Sequence, residues 1–297
     1  MLNKAFGVYL VANDISSTGT GACFSISATS ITLNFQGHTL TGSGKGVGVR
    51  MAGVTGALIE NGSITGFATG ISTDQGANKL VIQSMMASGN TDGLVASNSS
   101  NITAGDSNFD SNLNTGISLL NCRGGNVADT SISGSSTGLF LSGSSGFNVH
   151  ISAISTSGSG PNSKAGVYLN ASNDNTFMNC VMSGNQGYGI WLVKSNNNRF
   201  ELIGAEGYFA GVFVGCSSIG PGGGSCPGAG GTNNTFVHVV GAHATNGPGI
   251  AIDTGNTSNR VVSSGDGTTT LFDGNPNCDS NIWSLNTFSS ANQPCIN

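Results

Sequence analysis

Four aromatic residues that recur at one repeat position are the residues in this sequence best suited to bind a ligand. Each stands two residues after a glycine that opens an apolar segment: Phe140, Tyr168, Trp191 and Phe213. If these segments are neighbouring β-strands, the outward rings form an exposed strip roughly 15 Å long. Flat aromatic faces suit the apolar faces of sugar rings, so the strip predicts a platform for an extended polysaccharide. Two alternatives stay open: the rings cover one another beneath the insertions, or they form a subunit interface.

Three charged residues near this strip are the catalytic candidates. Lys194 follows the segment of Trp191, and Arg199 and Glu201 stand two residues apart, which predicts that they share the outward face of the next strand. A carboxylate could abstract a sugar proton while a cation neutralises a uronate group, as lyase chemistry requires, and hydrolase chemistry is the alternative. The competing interpretation is that these are ordinary solvated surface charges.

The remaining polar residues predict neither a metal nor another cofactor. No His/Cys cluster with zinc spacing occurs, and calcium, although compatible with a repeat fold, is supported by no Gly-Gly-x-Gly-x-Asp motif. The formal charge is −5 and the 9 Lys and Arg residues are scattered, so nucleic acid is not an expected partner. The expected partner is a polysaccharide or cell-surface glycan, and self-association is left open.

A glycine-led repeat would position these residues. A glycine, an apolar residue, a variable residue and usually a second apolar residue recur at Gly46, Gly70, Gly93, Gly116, Gly138, Gly166, Gly189, Gly211 and Gly249. Most steps are 22 to 24 residues, in a chain with 48 glycines and only 8% charged residues, which is typical of a solenoid without helices. Alternation after the glycine, as in Val167 and Leu169, places the apolar residues inside. The sequence predicts an all-β, single-domain parallel β-helix of about ten or eleven coils of ~22–23 residues.

A second recurring segment begins with asparagine. It occurs at Asn175, Asn198, Asn234 and Asn259, each about eight to ten residues after a first strand. Asparagine tolerates turn conformations, and repeating it at one coil position lets the amides bond along the stack. These asparagines are therefore predicted to be structural rather than catalytic.

The cysteines and the chain ends complete the predicted organisation. One domain covers 1–297: an N-terminal cap and first coil over 1–20, coils over 21–277 with insertions near 157–164 and 215–232, and a C-terminal cap over 278–297. The pairs Cys216–Cys226 and Cys278–Cys295 bracket a loop and the tail, which favours disulfides and an extracellular or secreted location, with the periplasm as the alternative. The other three, Cys23, Cys122 and Cys180, are predicted to pack as buried apolar residues. No apolar run is long enough to span a membrane.

These motifs resemble the right-handed parallel β-helix proteins with pectin-lyase-like coils, over nearly all of residues 7–290. The resemblance implies that fold, and many such proteins are polysaccharide lyases, hydrolases or epimerases, while others are adhesins or phage fibres. The catalytic motifs of polygalacturonases and alginate epimerases are absent from this sequence. Two hypotheses follow: a secreted protein that binds an extended polysaccharide, with lyase or glycoside hydrolase activity, or a non-catalytic extracellular structural or adhesive protein that self-assembles.

Overall fold

The computed structural model describes residues 1–156, 165–216 and 230–297. Within them it contains 27 β-strands and one short 3₁₀ helix, Pro276–Cys278. In chain order the strands are β1 (Val8–Leu10), β2 (Ile15–Ser16), β3 (Ala22–Ile26), β4 (Thr32–Asn34), β5 (Thr39–Thr41), β6 (Val47–Ala52), β7 (Leu58–Thr65), β8 (Thr69–Asp74), β9 (Asn78–Ala87), β10 (Asp92–Ser97), β11 (Ser100–Gly105), β12 (Thr115–Leu120), β13 (Arg123–Ser135), β14 (Thr137–Ser142), β15 (Ser145–Thr156), β16 (Ala165–Asn170), β17 (Thr176–Met178), β18 (Val181–Asn185), β19 (Tyr188–Val193), β20 (Arg199–Gly207), β21 (Ala210–Val214), β22 (Thr235–Ala244), β23 (Ile250–Ile252), β24 (Arg260–Val262), β25 (Thr270–Asp273), β26 (Ile282–Ser284) and β27 (Ser290–Ala291).

The strands stack into two long parallel sheets. Sheet A contains 12 strands in the order β27-β25-β23-β21-β19-β16-β14-β12-β10-β8-β6-β3, all from the described residues. Sheet B has 15 strands, with β1 and β26 at the ends of its main path. Strands one repeat apart pair in parallel, for example Val167 with Ile190. The chain is a right-handed parallel β-helix of about 11 turns, which confirms the predicted fold.

The core lies between the two sheets and follows the predicted alternation. Val167 and Leu169 are fully buried, and so are their counterparts Ile190 and Leu192 one coil later. The glycine at the start of β14 is required by this packing, because a Cβ at Gly138 would lie 2.5 Å from Cγ2 of Ile154. The sequence repeat is wrong in placing its first glycine at Gly46. In the strand register Gly48, two residues later, lies opposite Gly70.

The predicted asparagine ladder is confirmed. Each buried amide donates from Nδ2 to Oδ1 of the next, over 3.0 Å from Asn175 to Asn198, 3.0 Å from Asn198 to Asn234 and 3.1 Å from Asn234 to Asn259. The ladder continues to Asn281 over 3.3 Å. Buried polar groups need hydrogen-bond partners, and here each buried amide finds its partner in the asparagine of the next coil. The ladder therefore keeps equivalent residues of successive coils in register.

The described cysteines fall into a disulfide-bonded group and a free group. Cys278 and Cys295 form a disulfide across the C-terminal tail, and Cys216 is also disulfide-bonded, although Cys226 lies outside the described residues. Cys122 and Cys180 are free and buried, and Cys23 is free and partly buried. The insertion near 157–164 and residues 217–229 of the second insertion also lie outside the described part. Among the described residues, no helix has the length and apolarity needed to span a membrane.

Candidate functional site

The four aromatic residues form one column on the outward face of sheet A, as the repeat predicts. Phe140 pairs with Tyr168, Tyr168 with Trp191, and Trp191 with Phe213 in the strand register. The rings of Phe140 and Tyr168 stack with centroids 5.0 Å apart at 15°, and those of Tyr168 and Trp191 with centroids 4.6 Å apart at 20°. Three consecutive coils therefore contribute one stack of nearly parallel rings.

The predicted exposure of this column is wrong for Trp191 and Phe213. Trp191 is only 8% exposed and Phe213 is fully buried. Tyr188 covers both, because its ring lies 5.0 Å from that of Trp191 and 5.1 Å from that of Phe213. In addition, Nε1 of Trp191 donates a hydrogen bond of 2.9 Å to the carbonyl oxygen of Gly215. These residues form a second apolar cluster on the outside of sheet A.

Phe140 and Tyr168 remain partly exposed and close one end of a groove of about 570 Å³, the aromatic groove. Its floor is the same outward column continued toward the N-terminus, since Val95 pairs with Ser118 and Ser118 with Phe140. Its sides are formed by residues of the turns that precede β12 and β14 and by the first residues of β10, β12 and β14. The lining consists of Asp92, Val95, Leu113, Asn114, Thr115, Ser118, Leu120, Ser136, Thr137, Phe140 and Tyr168.

Polar side chains in the groove are held in defined positions. Asn114 donates from Nδ2 to Oδ1 of Asp92 over 2.8 Å, and within the described residues no group donates to the other carboxylate oxygen. Burial raises the pKa of the Tyr168 hydroxyl above its ordinary value. Sequence reasoning missed Asp92 and Asn114. The available signal was a run of polar residues directly before the repeat glycine, as in Asn114-Thr115-Gly116.

The catalytic candidates lie elsewhere. Arg199 and Glu201 share the outward face of β20 as predicted, with Nη2 of Arg199 2.7 Å from Oε2 of Glu201. That strand belongs to sheet B, so the pair faces away from the sheet that carries the rings. Lys194 is exposed directly after β19, and none of the three residues lines the aromatic groove. The structure therefore does not bring the predicted acid, base and aromatic residues together.

The described residues contain no group of three or more His, Cys, Asp and Glu side chains that could hold a metal ion. Two histidines make isolated pairs: Nδ1 of His38 lies 3.1 Å from Oδ1 of Asp14, and Nδ1 of His150 lies 3.5 Å from Oδ1 of Asp129. In the part of the chain that the structure describes, neither pair is joined by a third His, Cys, Asp or Glu side chain that could help to bind a metal.

The repeat region matches a family model. Residues 26–202, more than half of the chain, match the model described as Periplasmic copper-binding protein (NosD). The chain belongs to the NosD family. A comparison of this NosD family member with curated proteins finds no match.

Solved structures share the fold of this NosD family member. The A-module of the Azotobacter vinelandii mannuronan C-5 epimerase AlgE6 is similar with a TM-score of 0.60 and 13% identity, and the alignment covers 96% of this chain and 88% of that chain. The Dettilon tailspike protein (gp208) is similar with a TM-score of 0.53 and 13% identity, over 92% of this chain and 61% of that chain. At such identities the likeness shows a common right-handed parallel β-helix.

Proposed function

We propose that this protein binds an extended glycan along the aromatic groove, with Phe140 and Tyr168 as the platform for sugar rings. The observation that carries the proposal is the ring stack, in which Phe140 and Tyr168 are partly exposed and Tyr168 lies between Phe140 and Trp191, so that a sugar would meet the edge of the Tyr168 ring. Because the rings are already ordered by stacking, little side-chain entropy is lost on binding. From Val95 to Tyr168 the floor crosses four strands, roughly 14 Å, which suits about three sugar units of an extended chain.

The polar walls support the same ligand class. A sugar presents hydroxyl groups around an apolar ring face, and the groove offers a carboxylate at Asp92, an amide at Asn114 and hydroxyls at Thr115, Ser118 and Thr137. Ligand sites generally combine an apolar surface with a few fixed polar groups in this way. The epimerase module with the same fold is named for mannuronan, itself a glycan.

We also infer a location outside the cytoplasm, either secreted or periplasmic. The Cys278–Cys295 disulfide supports it, since structural disulfides persist in oxidising compartments, and the family description names the periplasm. That description also names copper, but no three His, Cys, Asp or Glu side chains converge among the described residues, so these residue types do not form a copper centre there.

Catalysis stays a prediction separate from binding. Lyase or glycoside hydrolase chemistry at Lys194, Arg199 and Glu201 has no support from the groove, because these residues do not line it. The proposal therefore rests on binding alone.

A second candidate is a non-catalytic structural or adhesive protein that self-associates. One observation favours it: β1 is the end strand of sheet B, no described strand pairs with its outer edge, and Val8 and Leu10 on it are 68% and 58% exposed. Apolar edge strands readily pair with another chain. Analytical ultracentrifugation of wild type beside Leu10→Lys would detect such assembly as a sedimentation shift that the lysine abolishes.

The test of glycan binding compares wild type, Phe140→Ala and Tyr168→Ala on a glycan array and a polysaccharide panel. Phe272→Ala is the matched control, because Phe272 lies in the same outward column two strands beyond Phe213 and outside the groove. We expect both groove variants to lose about tenfold or more in affinity while the control binds normally and all fold by circular dichroism. Binding to no glycan, or equal loss in the control, would refute the proposal. The same incubations, assayed for new reducing or unsaturated ends, test catalysis.

A further inference from the structure

We infer that the aromatic groove selects a neutral glycan over a uronate polymer. The inference rests on the proposed function and adds the substrate class. It follows from the charges that face the groove, from the pairing of the nearest cation in its column, and from the free hydrogen-bonding capacity of Asp92.

The described lining carries one ionised side chain, and that side chain is negative. Of the 11 lining residues, Asp92 is the only acid and none is Lys, Arg or His. A uronate polymer carries a carboxylate on every unit, so a chain about three units long would bring about three negative charges beside Asp92. Carboxylate recognition normally uses Arg or Lys donors, which the described lining lacks. A uronate would therefore lose hydration without gaining a cationic partner among the described lining residues.

The cation that shares the groove's column is already neutralised. Arg50 pairs with Ser72 and Ser72 with Val95, which places Arg50 two strands, or roughly 10 Å, beyond the groove floor. Its Nη2 lies 2.9 Å from Oδ2 of Asp74. Recruiting Arg50 for a uronate would require breaking this ion pair and leaving the carboxylate of Asp74 without it.

Asp92 itself suits a neutral sugar. Asn114 holds one carboxylate oxygen, which orients the group, while the other oxygen has no donor among the described residues. A sugar hydroxyl can donate to that oxygen in a charge-assisted hydrogen bond. The same oxygen repels a uronate, so one residue both attracts the neutral ligand and disfavours the acidic one.

The test uses hexasaccharides that differ only in oxidation at C6. Each is titrated by isothermal calorimetry at low and moderate salt. The three pairs are β-1,4-linked mannose and mannuronate, β-1,4-linked glucose and glucuronate, and α-1,4-linked galactose and galacturonate. We expect a neutral member to bind at least about tenfold tighter than its uronate partner, and the residual uronate binding to strengthen with salt as repulsion is screened. Asp92→Asn should reduce the ratio of neutral to uronate affinity, mainly by improving uronate binding, and Asp92→Lys should invert this affinity ratio.

The control variant is Asp106→Asn, which removes the same charge from the same coil at an exposed position after β11, outside the groove. It should leave the ratio unchanged. A wild-type protein that binds a uronate as tightly as its neutral partner, or a ratio that Asp92→Asn does not move, overturns the inference while glycan binding stands. Binding of none of the hexasaccharides or polysaccharides rejects the proposed function and the inference together.

Discussion

Replacing Trp191 by alanine should destabilise the protein substantially, although the sequence repeat alone predicts a harmless change at an exposed ring. The side chain is only 8% exposed and stacks on Tyr168 on one side. Tyr188 packs against it from another side, with ring centroids 5.0 Å apart. Its indole nitrogen also satisfies the carbonyl oxygen of Gly215 over 2.9 Å.

The expected loss can be worked from these contacts. Truncating a buried tryptophan or phenylalanine costs about 3–5 kcal/mol, which includes the transfer and cavity terms. Trp191 belongs to the cluster outside sheet A rather than to the main core, so the cavity can partly collapse or admit water. The lower end, about 3 kcal/mol, is therefore expected, with roughly 1 kcal/mol of it from the lost hydrogen bond.

The assay must resolve individual coils, because each coil of a solenoid contacts only its neighbours and destabilisation is local. Native-state hydrogen exchange read by mass spectrometry suits this need. Peptides from β16, β19 and β21 should lose about 100-fold in protection, since 1.4 kcal/mol corresponds to a factor of ten. Peptides from β6 and β8, six or more strands away in chain order, should be unchanged. Urea unfolding followed by circular dichroism gives the global comparison.

Phe140→Ala is the matched control. Phe140 stacks on Tyr168 and is partly exposed, so its truncation should cost less than that of the buried Trp191, about 1 kcal/mol. If Trp191→Ala changed protection by less than Phe140→Ala, the ring would be solvent-exposed in solution. The assignment of Tyr188 as its cover would then be incorrect.

Two further predictions concern the interior. Asn198→Ala removes the amide that donates to Asn234 and accepts from Asn175, and it should lower the free energy of unfolding in urea by about 3 kcal/mol because buried partners are left unsatisfied. The control Asn148→Ala, at an exposed position, should change that free energy by less than about 0.5 kcal/mol, and equal effects of the two variants would contradict a structural ladder. Burial raises the pKa of the Cys180 thiol to about 11, so the unreactive protonated thiol dominates below that pH. At pH 8, labelling of Cys180 by a disulfide reagent should therefore be at least about 100-fold slower in the native protein than in urea. Rapid native labelling of Cys180, located by peptide mass spectrometry, would show that this coil opens.

Much of the architecture was predictable because every coil repeats the same pattern of glycine, apolar and asparagine positions. Alternation around Val167 and Leu169 requires only that one face of a strand be apolar, and the structure buries both residues. The recurrence of Asn175 and Asn198 at one coil position predicted a ladder, because parallel stacking brings equivalent residues into contact. Register in a sheet follows from period-two patterning, which is a local property of the chain.

The candidate site was only partly predictable. The sequence by itself determined that Phe140, Tyr168, Trp191 and Phe213 share one outward column, since the glycine spacing sets their register. Only the tertiary structure decided which of these rings meet solvent. Burial of an outward residue depends on what packs over it, and here Tyr188, the first residue of β19, covers Trp191 and Phe213.

The same limit applies to the charged residues. The spacing of Arg199 and Glu201 correctly predicted a shared outward face on the strand after that of Trp191, but it could not show that this face, on sheet B, points away from the rings on sheet A. Asp92 and Asn114 meet across 22 residues of sequence, through contacts between successive coils. The periodic pattern therefore determined what points outward, while the relative placement of turns and sheets determined which outward residues form a groove.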